Sequence, residues 1–93
     1  MHYALFYVYV PDMVNRRAPY REAHLALVRT LHADGRLLMA GAWADPVDGA
    51  LFVFKGEDKS VVDDFVANDP YVKNGLVTTW RHRAWTIAVG APA

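Results

Sequence analysis

The chain has no cysteine. That excludes disulfides, thiolate nucleophiles and Cys-ligated zinc, and it is neutral on compartment. It has no surplus of either charge: ten Lys and Arg stand against ten Asp and Glu, with a pI of about 6.9. Phosphate contacts need clustered cations, so no nucleic-acid partner is expected. No long hydrophobic run is present either. The longest, Tyr3–Pro11, falls far short of the roughly 20 residues that cross a bilayer, and no membrane partner is expected. No basic segment precedes it and no small-residue cleavage site follows, so it does not read as a signal peptide. By that absence of signals the expected compartment is the cytoplasm. The glycines are scattered punctuation (Gly35, Gly41, Gly49, Gly56) rather than a phosphate-cradling loop. His2, near the N-terminus, and His32, at a helix rim, have no metal-ligand spacing to another histidine, and no metal is expected.

What is present is apolar: 54% of residues are hydrophobic and 13% aromatic, too greasy for a disordered chain. Ninety-three residues make one domain, 1–93, with 90–93 as a flexible tail. Tyr3–Val10, rich in aromatic and β-branched residues, predicts a first strand ended by Pro11-Asp12. Tyr20, His24, Leu27, Val28 and Leu31 follow the 3.6-residue period, predicting a helix from about Tyr20 to Ala33. Asn15 is its best N-cap, with Pro19 in the first turns, and Gly35 is its left-handed stop. Arg36–Trp43 and Leu51–Lys55 predict two strands joined by the hairpin residues Asp45–Gly49. Ser60–Asn68 predicts a second helix, with Ser60 and Asp63 spaced as a capping pair and Asp69-Pro70 as the stop. Val77–Val89 predicts a long last strand, with room for a break. The order βαββαβ is the α+β, ferredoxin-like pattern: a four-stranded antiparallel sheet with two helices on one face.

The strands do not alternate apolar with polar residues, as a half-wet sheet should. In the first, Tyr3, Leu5, Tyr7 and Tyr9 point one way, and Ala4, Phe6, Val8 and Val10 the other. In the third, Leu51 and Val53 oppose Phe52 and Phe54. Two helices cover one face only, and an open apolar face of that size is a liability. A second copy is the simplest cover, so a homodimer through sheet faces is expected. A ligand cavity within the monomer is the plainer alternative.

His24 is the sharpest residue for chemistry. It falls in the middle of an apolar stripe, where an imidazole needs a polar partner. One reading is a core histidine satisfied by a backbone carbonyl; the other is a general base or acid, since His titrates near neutral pH. Arg21 and Arg17 lie about one and two turns earlier on nearly the same side. They suggest a small anion or a buried carboxylate, unless they simply snorkel to solvent. Asp69, in Asn68-Asp-Pro-Tyr71, can start a turn and bond nearby N–H groups, or it can orient His24. Arg81 and Arg83 share a strand side, more often a solvated edge than an anion site. The acidic residues Glu57, Asp58, Asp63 and Asp64 read as a wet helix face. Tyr7, Tyr9 and Trp43 read as core or as a pocket lining.

These residues carry a resemblance. Arg21-Glu-Ala-His24-Leu25, then Gly35-Arg-Leu-Leu-Met-Ala-Gly41, then Asp69-Pro70-Tyr71 and Gly75 resemble, in order and spacing, the YCII-related (YciI-like) family of the dimeric α+β barrel superfamily. The resemblance covers nearly the whole chain. It implies a ferredoxin-like protomer, dimers paired through their sheets, and a pocket holding a His–Asp pair. Carried over by residue, the pair falls on His24 and Asp69, with Arg21 beside it. His24 and Asp69 are the expected catalytic residues, and Arg21, Arg17 and Tyr71 the expected substrate-binding ones. The family often has proline after the glycine of its second strand, where this chain has Ala42, so the loop on that side of the pocket is expected to differ. Some members resemble enzymes of chlorinated-aromatic breakdown that eliminate chloride without a cofactor, and superfamily relatives include isomerases and cofactor-free oxygenases. Fold alone does not choose among these.

The expected function is therefore a small lyase or isomerase, using no cofactor, that performs acid–base chemistry on a cyclic or phenolic molecule. The rivals are a non-catalytic dimer binding a small anionic or aromatic ligand, and a structural domain in which His24 is merely packed.

Overall fold

A computed structural model describes residues 1–90. The strands are β1 (His2–Tyr9), β2 (Leu37–Ala42), β3 (Gly49–Lys55) and β4 (Val77–Trp85). The helices are α1 (Met13–Arg16), α2 (Arg21–Ala33), α3 (Ser60–Asn68) and α4 (Pro70–Lys73), with a 3₁₀ turn at Ala18–Tyr20. The strands form one four-stranded sheet in the order β2-β3-β1-β4, and every pairing is antiparallel. This is the ferredoxin-like α+β arrangement that the element order predicts.

The core lies between the sheet and the helices. Tyr3, Leu5, Tyr7 and Tyr9 of β1 turn inward with Phe52 and Phe54 of β3, meeting Leu31 of α2 and Val62 and Phe65 of α3. Period-two alternation on the strands and the 3.6 period on the helices meet in this layer. The other face of the sheet carries Phe6, Val8, Leu51 and Met39, with Arg81 and Arg83 along β4, as the cross-strand register dictates. Val8, Met39, Trp43 and Trp85 are exposed, and the Arg81 guanidinium lies 5.2 Å from the centre of the Phe6 ring. No helix among the described residues is long and apolar enough to cross a membrane.

Several local features depart from the sequence reading. The first helix does not begin at an Asn15 cap. Residues 13–16 form a separate turn of helix, and the Asn15 amide donates to Asp12 Oδ1 at 2.8 Å. Pro19 lies within the 3₁₀ turn, and the long helix starts only at Arg21. β3 begins at Gly49, two residues earlier than the expected Leu51, with Gly49 paired to Val8 in the ladder where Tyr7 and Trp43 come close. A Cβ at Gly49 would lie 2.5 Å from the Tyr7 carbonyl oxygen. The Ser60–Asp63 capping pair does not form. The Asp58 carboxylate accepts the Ser60 N–H instead (2.9 Å), and Asp63 pairs with Lys59. Asp69-Pro70 does end α3, but Pro70 also opens α4, whose first position tolerates a missing N–H. β4 stops at Trp85 rather than Val89. Gly35, at φ +87°, takes up the left-handed conformation expected just beyond α2. Of the expected tail, residues 91–93 lie outside the described residues.

Candidate functional site

The joint between α3 and α4 positions Asp69. Its backbone is extended (φ −70°, ψ 120°), which breaks the helix and turns the carboxylate back under the sheet-facing side of α2. The side chain is fully buried. Oδ1 accepts from the Tyr71 N–H at 3.1 Å, which is the local capping role, and lies 2.7 Å from His24 Nδ1. Oδ2 accepts from the Tyr7 hydroxyl at 2.7 Å. The carboxylate thus performs its local turn role and bridges two distant segments at once.

His24 is 6% exposed, as its place in the α2 stripe requires. The Tyr71 ring stacks on it face to face, with centroids 3.8 Å apart and planes within 5°. Phe52 and Phe65 approach its edges. With Nδ1 against a carboxylate that already accepts from two other donors, the neutral imidazole carries its proton on Nδ1. Among the described residues Nε2 has no hydrogen-bond partner, yet no fully buried polar side-chain atom is unsatisfied, so Nε2 reaches open space. His32 is the contrasting case: its Nδ1 lies 2.9 Å from the Leu37 carbonyl, the backbone arrangement considered above for His24.

That space is a cavity of about 200 Å³. His24, Tyr9 and Tyr71 form one side of it, Arg17 and Arg21 border it, and Leu25, Val28 and Phe52 supply apolar wall. The small residues Ala40, Gly41, Ala42 and Ala50, at the adjoining ends of β2 and β3, complete its wall. Ala42, which stands where the resembled family often has proline, is therefore part of this wall. Among the described residues neither Arg17 nor Arg21 forms an ion pair with a carboxylate.

The phenols here are held neutral. Burial pushes the Tyr9 hydroxyl up to about 12, with Tyr71 adding to the effect and the Arg17 charge opposing it. Burial raises Tyr71 too, against Arg17 and Arg21. Burial raises Tyr7 far beyond the ordinary range, and the charge of Asp69 and its hydrogen bond raise it further. The cavity therefore presents an imidazole nitrogen, two guanidiniums and neutral hydroxyls. It can take up a proton at one point and hold negative charge at another.

Of the residues singled out from the sequence, His24, Asp69, Arg17, Arg21 and Tyr71 gather here, although Arg17 sits between α1 and the 3₁₀ turn rather than on the long helix. Tyr9 lines the cavity as well. Trp43 faces a neighbouring groove with Met39 and Leu51, and Arg81 and Arg83 lie on the opposite sheet face. The contact of Tyr7 with Asp69 had no distinct signal in the sequence, because an inward aromatic residue on a strand looks the same whether or not its hydroxyl has work to do.

Comparison with known proteins agrees with this fold. The model of the YCII-related domain matches residues 1–86. An uncharacterised protein of Haemophilus influenzae is 32% identical over 85 residues, covering 82% of this chain and 87% of that one. Among solved structures, 5-chloro-2-hydroxyhydroquinone dehydrochlorinase of Burkholderia phenoliruptrix, in complex with 2,5-dihydroxybenzoquinone, superposes with a TM-score of 0.80. Its identity is 23%, covering 92% of this chain and 94% of that one. A NIPSNAP family protein of Agrobacterium tumefaciens gives 0.62 at 13% identity, covering 98% and 95% of the two chains.

Proposed function

The chain belongs to the YCII-related domain family, and from that premise and the cavity's geometry we propose that it is an enzyme performing acid–base chemistry on a small cyclic or phenolic molecule. His24 and Asp69 are the catalytic pair, and Arg21, Arg17 and Tyr71 hold the substrate. The observation that carries this reading is the unpartnered Nε2 of His24 at the wall of a cavity of about 200 Å³, with Nδ1 clamped 2.7 Å from a buried carboxylate. A merely packed histidine has no need of a free nitrogen facing a void.

The chemistry follows from the parts. Nε2 removes a proton from a ring C–H or O–H, and the bonding pair moves onto a ring oxygen. Arg21, with Arg17 behind it, stabilises that oxyanion, and Asp69 stabilises the imidazolium. The pair then returns to the ring. It either expels a leaving group, which departs with its own bonding electrons, or takes the proton back at another carbon. The first outcome is a lyase reaction and the second an isomerisation. The dehydrochlorinase with the same fold makes chlorinated hydroxyhydroquinones the first substrates to try. The apolar open face of the sheet, with Val8 54% and Met39 58% exposed, supports assembly as a homodimer through that face.

The test is chloride release from 5-chloro-2-hydroxyhydroquinone, run beside a panel of hydroxylated aromatic acids in which each thermal-shift hit is checked for chemical change. Turnover that disappears in both His24→Ala and Asp69→Asn, with the fold intact, supports the reading. Ligands that raise the melting temperature and are always recovered unchanged would point to a binding module instead.

A further inference from the structure

We infer that Tyr7 is a positioning residue for the His24–Asp69 pair: from the middle of β1, its hydroxyl holds the Asp69 carboxylate in the orientation that keeps the proton on His24 Nδ1 and leaves Nε2 bare. The inference rests on the acid–base reading above and extends it to a residue that touches neither the cavity nor His24's free nitrogen.

The geometry is specific. Among the described residues Asp69 has three donors, and two of them, Tyr71 N–H and His24 Nδ1–H, converge on Oδ1. The third, Tyr7, serves Oδ2, at 2.7 Å and across 62 residues of sequence. The Tyr71 N–H belongs to the same turn as Asp69 and moves with it. Tyr7 is the contact that ties the carboxylate to the sheet. Its own ring cannot yield. It is 2% exposed, packs edge-on to Phe52 at 4.8 Å and stacks on Phe65 at 6.2 Å, and its strand is paired on both sides.

The remaining groups around Asp69 offer Oδ2 no substitute. Tyr9 on β1 and Tyr71 on α4 bring neutral phenols to the cavity, and Arg17, just before the 3₁₀ turn, and Arg21 on α2 border it, but none of these side chains hydrogen-bonds the carboxylate. Without the Tyr7 hydroxyl, Oδ2 would face hydrocarbon. A buried acceptor without a donor is costly, so the carboxylate would turn toward the cavity in search of one. Turning withdraws Oδ1 from Nδ1–H. The neutral imidazole is then free to carry its proton on Nε2, where it cannot act as a base.

The experiment is long-range ¹H–¹⁵N NMR of the neutral His24 ring in the whole chain, with no ligand added. The wild type is expected to show the Nδ1–H tautomer with a slowly exchanging Nδ1 proton. Tyr7→Phe keeps the ring and is expected to lower the Nδ1–H to Nε2–H ratio, and to speed exchange of the Nδ1 proton, by about tenfold or more, the scale set by one hydrogen bond to a charged group. Tyr3→Phe is the control. It removes a hydroxyl from the same face of the same strand, one that among the described residues hydrogen-bonds Met1 Sδ and not Asp69, and is expected to change neither. Should Tyr7→Phe fail to fold, the Nδ1–H resonance of protein with 3-fluorotyrosine at position 7 is read instead. It must move relative to wild type, since a stronger donor to Oδ2 alters the charge left on Oδ1. A wild-type tautomer in Tyr7→Phe, or an unmoved Nδ1–H resonance in the fluorinated protein, overturns the inference while leaving the acid–base reading standing. An Nε2–H ring in the wild type removes both.

Discussion

Removing the Asp69 side chain should damage the fold far more than removing its charge. In Asp69→Ala three donors lose their acceptor together: the Tyr7 hydroxyl, His24 Nδ1–H and the Tyr71 N–H. Tyr7 is 2% exposed and Asp69 is fully buried, so water reaches this spot only by entering the space the carboxylate leaves. Each stranded donor costs about 1–3 kcal/mol. With all three left stranded, the loss is at least about 3 kcal/mol, against a total of about 5–15 kcal/mol for a domain. In Asp69→Asn the amide oxygen keeps both Oδ1 contacts, and the amide N–H₂ meets the Tyr7 oxygen as donor rather than acceptor. The Tyr7 O–H is then the one donor left without an acceptor, and the expected loss is about 1–3 kcal/mol. Urea unfolding of the three proteins, followed by far-UV circular dichroism, measures both values. In melting temperature the alanine variant should fall by at least about 12 °C and the asparagine variant by about a third as much. An alanine variant as stable as the asparagine one would refute the reasoning, because it would mean that the three donors contribute nothing by being paired.

Stability should also fall on the alkaline side. Tyr9 is raised from 10.0 to about 12 in the fold, so its neutral form contributes stability that is complete below pH 10 and is lost as the pH climbs from there toward 12. Tyr7, raised further, acts in the same direction, and urea titrations at pH 9 and 11 should show a smaller alkaline loss in Tyr9→Phe than in wild type. Gly49→Ala forces a Cβ to within 2.5 Å of the Tyr7 carbonyl oxygen and 2.8 Å of Trp43 Nε1; a loss of about 1–3 kcal/mol in urea unfolding is expected, as for other overpacked sites. Val8→Glu, at an open-face residue 54% exposed, should leave the protomer folded and shift its elution in size-exclusion chromatography to the monomer position. Arg21→Ala should weaken binding of anionic ring compounds in the thermal-shift panel without lowering the melting temperature of the free protein.

The sheet and its helices were legible because two periods are written into the chain. Tyr3, Leu5, Tyr7 and Tyr9 alternate, and Tyr20, His24, Leu27, Val28 and Leu31 recur at 3.6, and each set turns toward the core. Helix entry was harder to read. Asn15 has the chemistry of a cap but spends it on Asp12, and a 3₁₀ turn containing Pro19 separates it from the long helix. At Ser60 the preceding Asp58 reached the open N–H first. The inward direction of His24 followed from its place in the stripe. Its proximity to Asp69, 45 residues away, is a tertiary fact that no local spacing encodes, and the family resemblance supplied it as an expectation. Tyr7 carried no signal, since burial of the ring and employment of its hydroxyl leave the same letter in the same alternating position. The shallow wall of Ala40, Gly41, Ala42 and Ala50 was hidden for a related reason: small residues in a strand mark closeness to something without saying to what.

Residues 7 and 24 come from the first third of the chain and residue 69 from the last, so the carboxylate that joins them is the last of the three to be synthesised. A ribosome-bound fragment ending before α3 would hold the histidine and both arginines but nothing to steer the ring. In truncated or half-made copies the imidazole therefore has no carboxylate beside it, and the pair forms in one step with the closing of the fold.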